Sequence, residues 1–168
     1  ERGDFMEIKL RPIKLDDLKH ICKWKSDPVV IKNALEEGYI CDEQKQKEDI
    51  EETIKSKSSI YTIIECDQEP VGYIRAYWLD KEESHAWLRC VLGEMRENKI
   101  MTIALLSFID NLFDKNCKEI ECEVYEYNIP SIKLLDKIGF TKVGVKKAAH
   151  KFKGEYYDIF VYNLKTKC

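Results

Sequence analysis

Tyr127-Asn128-Ile129-Pro130-Ser131-Ile132-Lys133-Leu134-Leu135-Asp136-Lys137-Ile138-Gly139-Phe140 is the stretch that decides the fold. Proline is pre-set for the first turn of a helix, and glycine suits the left-handed residue that ends one. Pro130–Lys137 therefore reads as a short helix, closed by Gly139. Ahead of it, Lys118–Tyr125 alternates Ile120, Cys122 and Val124 with Glu119, Glu121 and Glu123, the period of a strand covered on one face. Behind it, Phe140–Val145 and Tyr156–Leu164 read as two closing strands. Strand, helix and strand in succession imply a right-handed crossover to a parallel neighbour.

Working back towards the start, Met101–Phe113 carries Ile103, Leu105, Leu106, Phe108, Ile109, Leu112 and Phe113, a largely buried helix. Ile60–Cys66, Val71–Leu79 and His85–Leu92 form an antiparallel meander, joined by the turn Asp67–Pro70 and the polar Asp80–Ser84. Asp42–Lys57 is acidic early and lysine-rich late, as the helix dipole prefers, and its sparse apolar content puts it on the surface. Asp16–Lys25 spaces Leu15, Leu18, Ile21 and Trp24 three apart, an amphipathic helix. Ser26-Asp27-Pro28 breaks it, and Ile8–Ile13 is a first strand. The order βαα-βββ-α-β-α-ββ predicts an α+β fold: a mixed, mostly antiparallel seven-stranded sheet with helices on both faces.

At 168 residues the chain suits one domain, able to bury about two-thirds of its extended surface without disulfides or metals. Glu1–Phe5, ahead of Met6, read as a remnant outside the domain, which is expected to span residues 6–168. With 28 basic and 31 acidic residues there is no positive excess to neutralise a phosphate backbone, which argues against nucleic acid. The seven cysteines are odd in number and lack Cys-x-x-Cys spacing, so free thiols in a reducing compartment are expected. Three scattered histidines argue against a metal site. No apolar run approaches the ~20 residues that span a bilayer, and cytoplasmic is the expected location.

The block from Asn128 to Phe140, followed by Val143-Gly144, resembles the GNAT superfamily of N-acetyltransferases, whose pattern there is Asn-x-x-(Ser/Ala) running to Gly-Phe. Gly154-Glu155-Tyr156-Tyr157-Asp158-Ile159, and Leu10-Arg11-Pro12 with Trp24 and Asp27-Pro28, are similar to further parts of that family. The branch resembled is that of the ribosomal-protein and amino-sugar acetyltransferases. The resemblance implies that two adjacent parallel strands, His85–Leu92 and Lys118–Tyr125, splay apart. Acetyl-CoA would enter the gap from one side and the amine from the other. Cys90, Val91, Leu92 and Gly93 would hold the acyl arm through backbone groups, and an N–H there could polarise the thioester carbonyl.

The family's pyrophosphate loop, (Arg/Gln)-x-x-Gly-x-(Gly/Ala), aligns with Arg96-Glu97-Asn98-Lys99-Ile100-Met101 and then Thr102. Lys99 and Met101 stand at the glycine sites, where a β-carbon pushes the anion outward. The family resemblance also puts Asn128 on the cofactor arm. Its local role is a helix cap. A tyrosine that protonates the departing thiolate in many members is here Leu135. Ser131 is then the candidate acid, with Tyr127 a lesser one. Glu123 on the splayed strand and Glu94 at the end of the facing one are candidate bases, and His85 a candidate relay. Trp24, Tyr39 and Tyr77 are candidates to shape the acceptor side; the packing reading makes Trp24 a core anchor of the first helix, and Tyr77, Trp78 and Trp87 core or pocket wall. The resemblance implies an acetyl-CoA-dependent transferase acting on a protein N-terminus, an amino sugar or another small amine. Homodimers are common among its members. The altered glycine sites and missing tyrosine fit a second reading: a catalytically weak descendant that binds a small molecule or partner.

Overall fold

Hydrophobic alternation along each strand sorts the side chains onto two faces, and two separate apolar cores result. In this computed structural model, which describes residues 5–96 and 99–167, seven strands form one sheet in the order β1-β2-β3-β4-β5-β7-β6. They are β1 (Ile8–Pro12), β2 (Ser59–Cys66), β3 (Glu69–Trp78), β4 (His85–Leu92), β5 (Glu119–Tyr125), β6 (Thr141–Phe152) and β7 (Glu155–Lys165). All neighbours pair antiparallel except β4 with β5. The helices are α1 (Leu18–Lys25), α2 (Pro28–Ala34), α3 (Glu43–Ser56), α4 (Ile100–Asp114) and α5 (Ile129–Ile138), with a short 3-10 turn at Leu15–Asp17.

One core packs Ile64, Ile74, Leu88, Ile120 and Val124 against Leu105 and Phe108 of α4 and Leu135 of α5. The other packs Ile63, Tyr73 and Val91 against Ile21 and Trp24 of α1, Val30 of α2 and Ile50 of α3. Helices thus cover both faces, as the pattern required. The parallel pair is β4 and β5, linked through α4, and the fold is the one expected from the sequence.

Three local differences have physical causes. The stretch after Pro28 is a further helix: the proline that stops α1 occupies the first turn of α2, and Asp27 caps that helix by accepting from the Val29 N–H at 2.9 Å. β6 runs seven residues past its expected end, because a bulge between Lys146 and His150, with Ala148 at φ 48°, hides the alternation. The first strand stops at Pro12, and the buried Ile13 continues with a backbone bond to Tyr61 O at 3.0 Å. Among the described residues no helix is long and apolar enough to cross a membrane.

Candidate active site

The β4–β5 ladder is short. His85, Ala86 and Trp87 register with Glu119, Ile120 and Glu121, and there the pairing ends although β4 runs on to Leu92 and β5 to Tyr125. On its other side β4 remains paired with β3 as far as Leu92. The sheet therefore opens between β4 and β5 beyond Trp87, and the backbone of Leu88–Leu92 presents one edge without a ladder partner. Such an edge supplies N–H and C=O groups to whatever enters.

A cavity of about 180 Å³ occupies this opening. Leu88, Cys90 and Val91 line it from β4, Cys122, Glu123 and Tyr125 from β5, and Asn128, Ser131 and Leu135 from the α5 region. Burial pushes the Cys90 thiol up to about 11, so it stays protonated and unreactive at neutral pH. Asn128 Oδ1 caps α5 by accepting from the Ser131 N–H at 3.4 Å. Leu135 fills the wall where a tyrosine stands in many resembling proteins, and offers no proton.

Helix α2 lies against this opening, and its last carbonyls are held by side chains from the β5–α5 connection. Tyr125 Oη donates to Leu35 O at 3.0 Å, Tyr127 Oη donates to Lys32 O, and Asn128 Nδ2 reaches Asn33 O at 3.4 Å. Behind them the His150 ring is 1% exposed and stacks on Tyr125 with centroids 3.6 Å apart. His150 Nε2 lies 3.0 Å from Tyr127 Oη. Burial, with nearby carboxylates and phenols, pushes the Tyr125 and Tyr127 hydroxyls up to about 12, which keeps them protonated as donors to α2.

The expected residues divide into two groups. Cys90, Val91, Asn128, Ser131 and Glu123 come together on the cavity, Glu123 ion-paired with Lys146. Leu92 is the last residue of β4 and packs against the core below α4. Glu94 lies past the strand end, bound to Lys23 of α1 and absent from the cavity wall. Tyr127 points at α2 and His150 rather than into the cavity. His85 sits where β4 and β5 still pair, 3.7 Å from Glu121.

Trp24 is 1% exposed and fills the space beside Gly93, so it is a core anchor rather than an acceptor contact. Tyr39 accepts from Gln46 at 3.2 Å, and Tyr77 packs on Trp87, neither reaching the cavity.

The loop before α4 departs from a phosphate cradle in a defined way. Arg96 donates to Leu92 O at 3.0 Å and pairs with Asp27 at 2.7 Å. Lys99 is exposed at φ 40° and ψ 13°, the left-handed region that glycine favours. Ile100 is buried in the core, Met101 packs against it, and Thr102 is half-buried. Glu97 and Asn98 lie outside the described residues. Neither Lys99 nor Met101 lines the opening.

Trp87 borders the cavity, as its reading as core or pocket wall allowed; Asn33, Glu36, Arg89 and Tyr125 also border it, and sequence reading did not single them out. They come from α2, the loop after it, β4 and β5, and only the opening of the sheet brings them together.

A mixed sheet whose parallel neighbours part beside a capped helix defines a CoA-type acyltransferase fold. Residues 10–161 match the acetyltransferase (GNAT) domain, and the chain belongs to that family of acetyl-CoA-dependent acyltransferases. It is 29% identical over 165 residues to an uncharacterized N-acetyltransferase p20 of Bacillus licheniformis, covering 94% of this chain and 92% of that protein. Its fold matches a spermidine N-acetyltransferase from Vibrio cholerae solved with CoA and spermine, at a TM-score of 0.84 and 18% identity, over 94% and 95% of the two chains. It also matches a ribosomal-protein-alanine N-acetyltransferase from Brucella melitensis, at a TM-score of 0.82 and 17% identity, over 94% and 99%.

Proposed function

We propose that this chain transfers the acetyl group of acetyl-CoA to a primary amine, on a small molecule or a peptide. The observation that carries the reading is the unpartnered edge of Leu88–Leu92, facing Asn128 and Ser131 across the opening. An acyl-pantetheine arm needs an extended backbone to bind along, and this edge supplies one. The resident groups fit that role: apolar walls from Leu88 and Leu135, and a hydroxyl from Ser131. The thioester supplies an activated acyl group when bound.

The protein's own task is proton management. An amine with a pKa of ~10.4 is protonated at neutral pH, and freeing it costs about 4–5 kcal/mol. Glu123, on the cavity wall, accepts that proton in our reading. As the amide bond forms and the C–S bond breaks, the nitrogen sheds a second proton, which the Ser131 hydroxyl relays to the departing thiolate. Arg96 and the amino end of α4 serve the diphosphate, with Arg96 exchanging its Asp27 partner for phosphate. Related folds acting on spermidine and on ribosomal protein make a small amine and a peptide N-terminus equally apt acceptors. The six cysteines of the described residues are free, which suits a reducing cytoplasm.

A second reading, a catalytically weak or inactive descendant of the fold that binds a small molecule or partner, is favoured by Lys99 at a glycine position and by Leu135. Thiol release from acetyl-CoA, measured against a panel of amines, tests the two. Amine-dependent release with at least one acceptor supports the transferase. Absence of release with every amine selects the second reading.

A further inference from the structure

Two arginines stand opposite one another on β3 and β4, Arg75 and Arg89. Their situations differ. Arg75 is 6% exposed and fully satisfied: Asp49 takes its guanidinium in two bonds, Thr53 and Ser59 take the remainder, and Tyr61 and Tyr77 sandwich it. Arg89 is exposed, lines the cavity, and has no carboxylate partner among the described residues. The Trp87 ring lies 4.8 Å from the guanidinium carbon and helps hold the planar fork in place, and the phenols of Tyr73 and Tyr125 also feel its charge.

The absent partner can be identified from the register. Trp87 pairs with Glu121, so a ladder continued by two residues would bring Arg89 beside Glu123. The opening of the sheet separates them, and Glu123 pairs with Lys146 of β6 instead. A cation and a carboxylate that flat pairing would have joined therefore line the same cavity from opposite strands. Behind Arg89 lies a positive excess. Lys25 and Arg75 share its surroundings with Asp49 as the nearby carboxylate. Burial lowers the Lys25 ammonium, and the charges of Arg75 and Arg89 push it in the same direction.

We propose that Arg89 selects acceptors that carry an anionic group, carboxylate or phosphate, a short reach from the amine that is acetylated. This rests on the transferase reading above. The amine end then meets Glu123 while the anion takes the guanidinium fork, and a wholly cationic acceptor meets an unneutralised arginine instead.

The test uses the full chain with saturating acetyl-CoA and matched amines: β-alanine against β-alanine amide, aminoethyl phosphate against ethanolamine, and spermidine as the polycation. The expected result is a kcat/KM at least tenfold higher for the anionic member of a pair, the two pairs showing whether carboxylate or phosphate is the preferred anion. Arg89→Gln brings that ratio near one, and Arg89→Lys retains part of it, because charge survives and the fork does not. Thermal melting of both variants confirms that the fold persists. Equal or better turnover of the neutral amines or spermidine, or an unchanged ratio in Arg89→Gln, overturns the assignment and leaves the transferase reading standing. Absence of thiol release with every amine overturns both.

Discussion

Ser131 combines a structural role with the chemical one proposed for it. Its N–H satisfies the cap of α5 through Asn128, while its side chain remains on the cavity wall. Ser131→Ala keeps the first role, which is a backbone bond, and removes the second. Turnover is expected to fall at least tenfold, with acetyl-CoA affinity unchanged by calorimetry; an unaltered rate would remove the hydroxyl from the mechanism. Asp17 offers a purely structural counterpart. Its burial favours the neutral acid, but the Arg11 guanidinium, at 2.8 Å to each oxygen, and the Lys14 N–H outweigh that and hold the carboxyl below its ordinary 3.8. A depressed carboxyl contributes stability above its unfolded value, and that contribution is lost as pH falls through the native one. Asp17→Asn is expected to cost about 1–3 kcal/mol at pH 7. The difference between the two proteins in denaturant titrations should start to shrink only as pH falls below about 4, the unfolded carboxylate value, and vanish below the depressed native one.

The elements divide by how much of their definition is local. The helix between Asn128 and Gly139 was legible because both its ends are written in residue types: an Asx cap, a proline and a glycine at φ 112°. The alternation of β5 was legible for the same reason. Helix α2 was not, since Val29, Val30 and Ile31 disfavour helices and its stability comes from outside. Tyr125, Tyr127 and Asn128 hold its last carbonyls, and Val30 is buried in the core. The end of β4 is likewise set by packing. A β-carbon on Gly93 would sit 2.1 Å from Trp24 Cδ1, so α1 can approach the sheet only over a glycine. Gly93→Ala is expected to destabilise by about 2 kcal/mol through overpacking. That corresponds to a melting temperature lower by roughly 4–8 °C for a domain of this size. An unchanged melting curve would mean that Trp24 can be accommodated elsewhere.

At the level of the whole molecule, fold and site were unequally visible. Order and periodicity of the elements fix a mixed sheet, because burial demands it. The site depends on where a ladder stops, which no local pattern encodes. Arg89 reads in the sequence as one more charged strand residue, and its missing counter-ion is a property of the opened sheet alone. Trp24 stands in the segment expected over the acceptor, and packing draws it wholly into the core, as its amphipathic spacing on the first helix allowed. The loop before α4 carries the greatest departure from the family pattern, yet Lys99 and Met101 leave the opening itself clear.

Acetyl-CoA titration followed by thermal unfolding tests the central claim, that the parted strands receive the acyl donor. A ligand at a hundred times its dissociation constant stabilises by about 2.7 kcal/mol, equivalent to roughly 5–10 °C here. The account predicts a saturable rise of that size with acetyl-CoA. A melting curve that does not move at millimolar acetyl-CoA would contradict it.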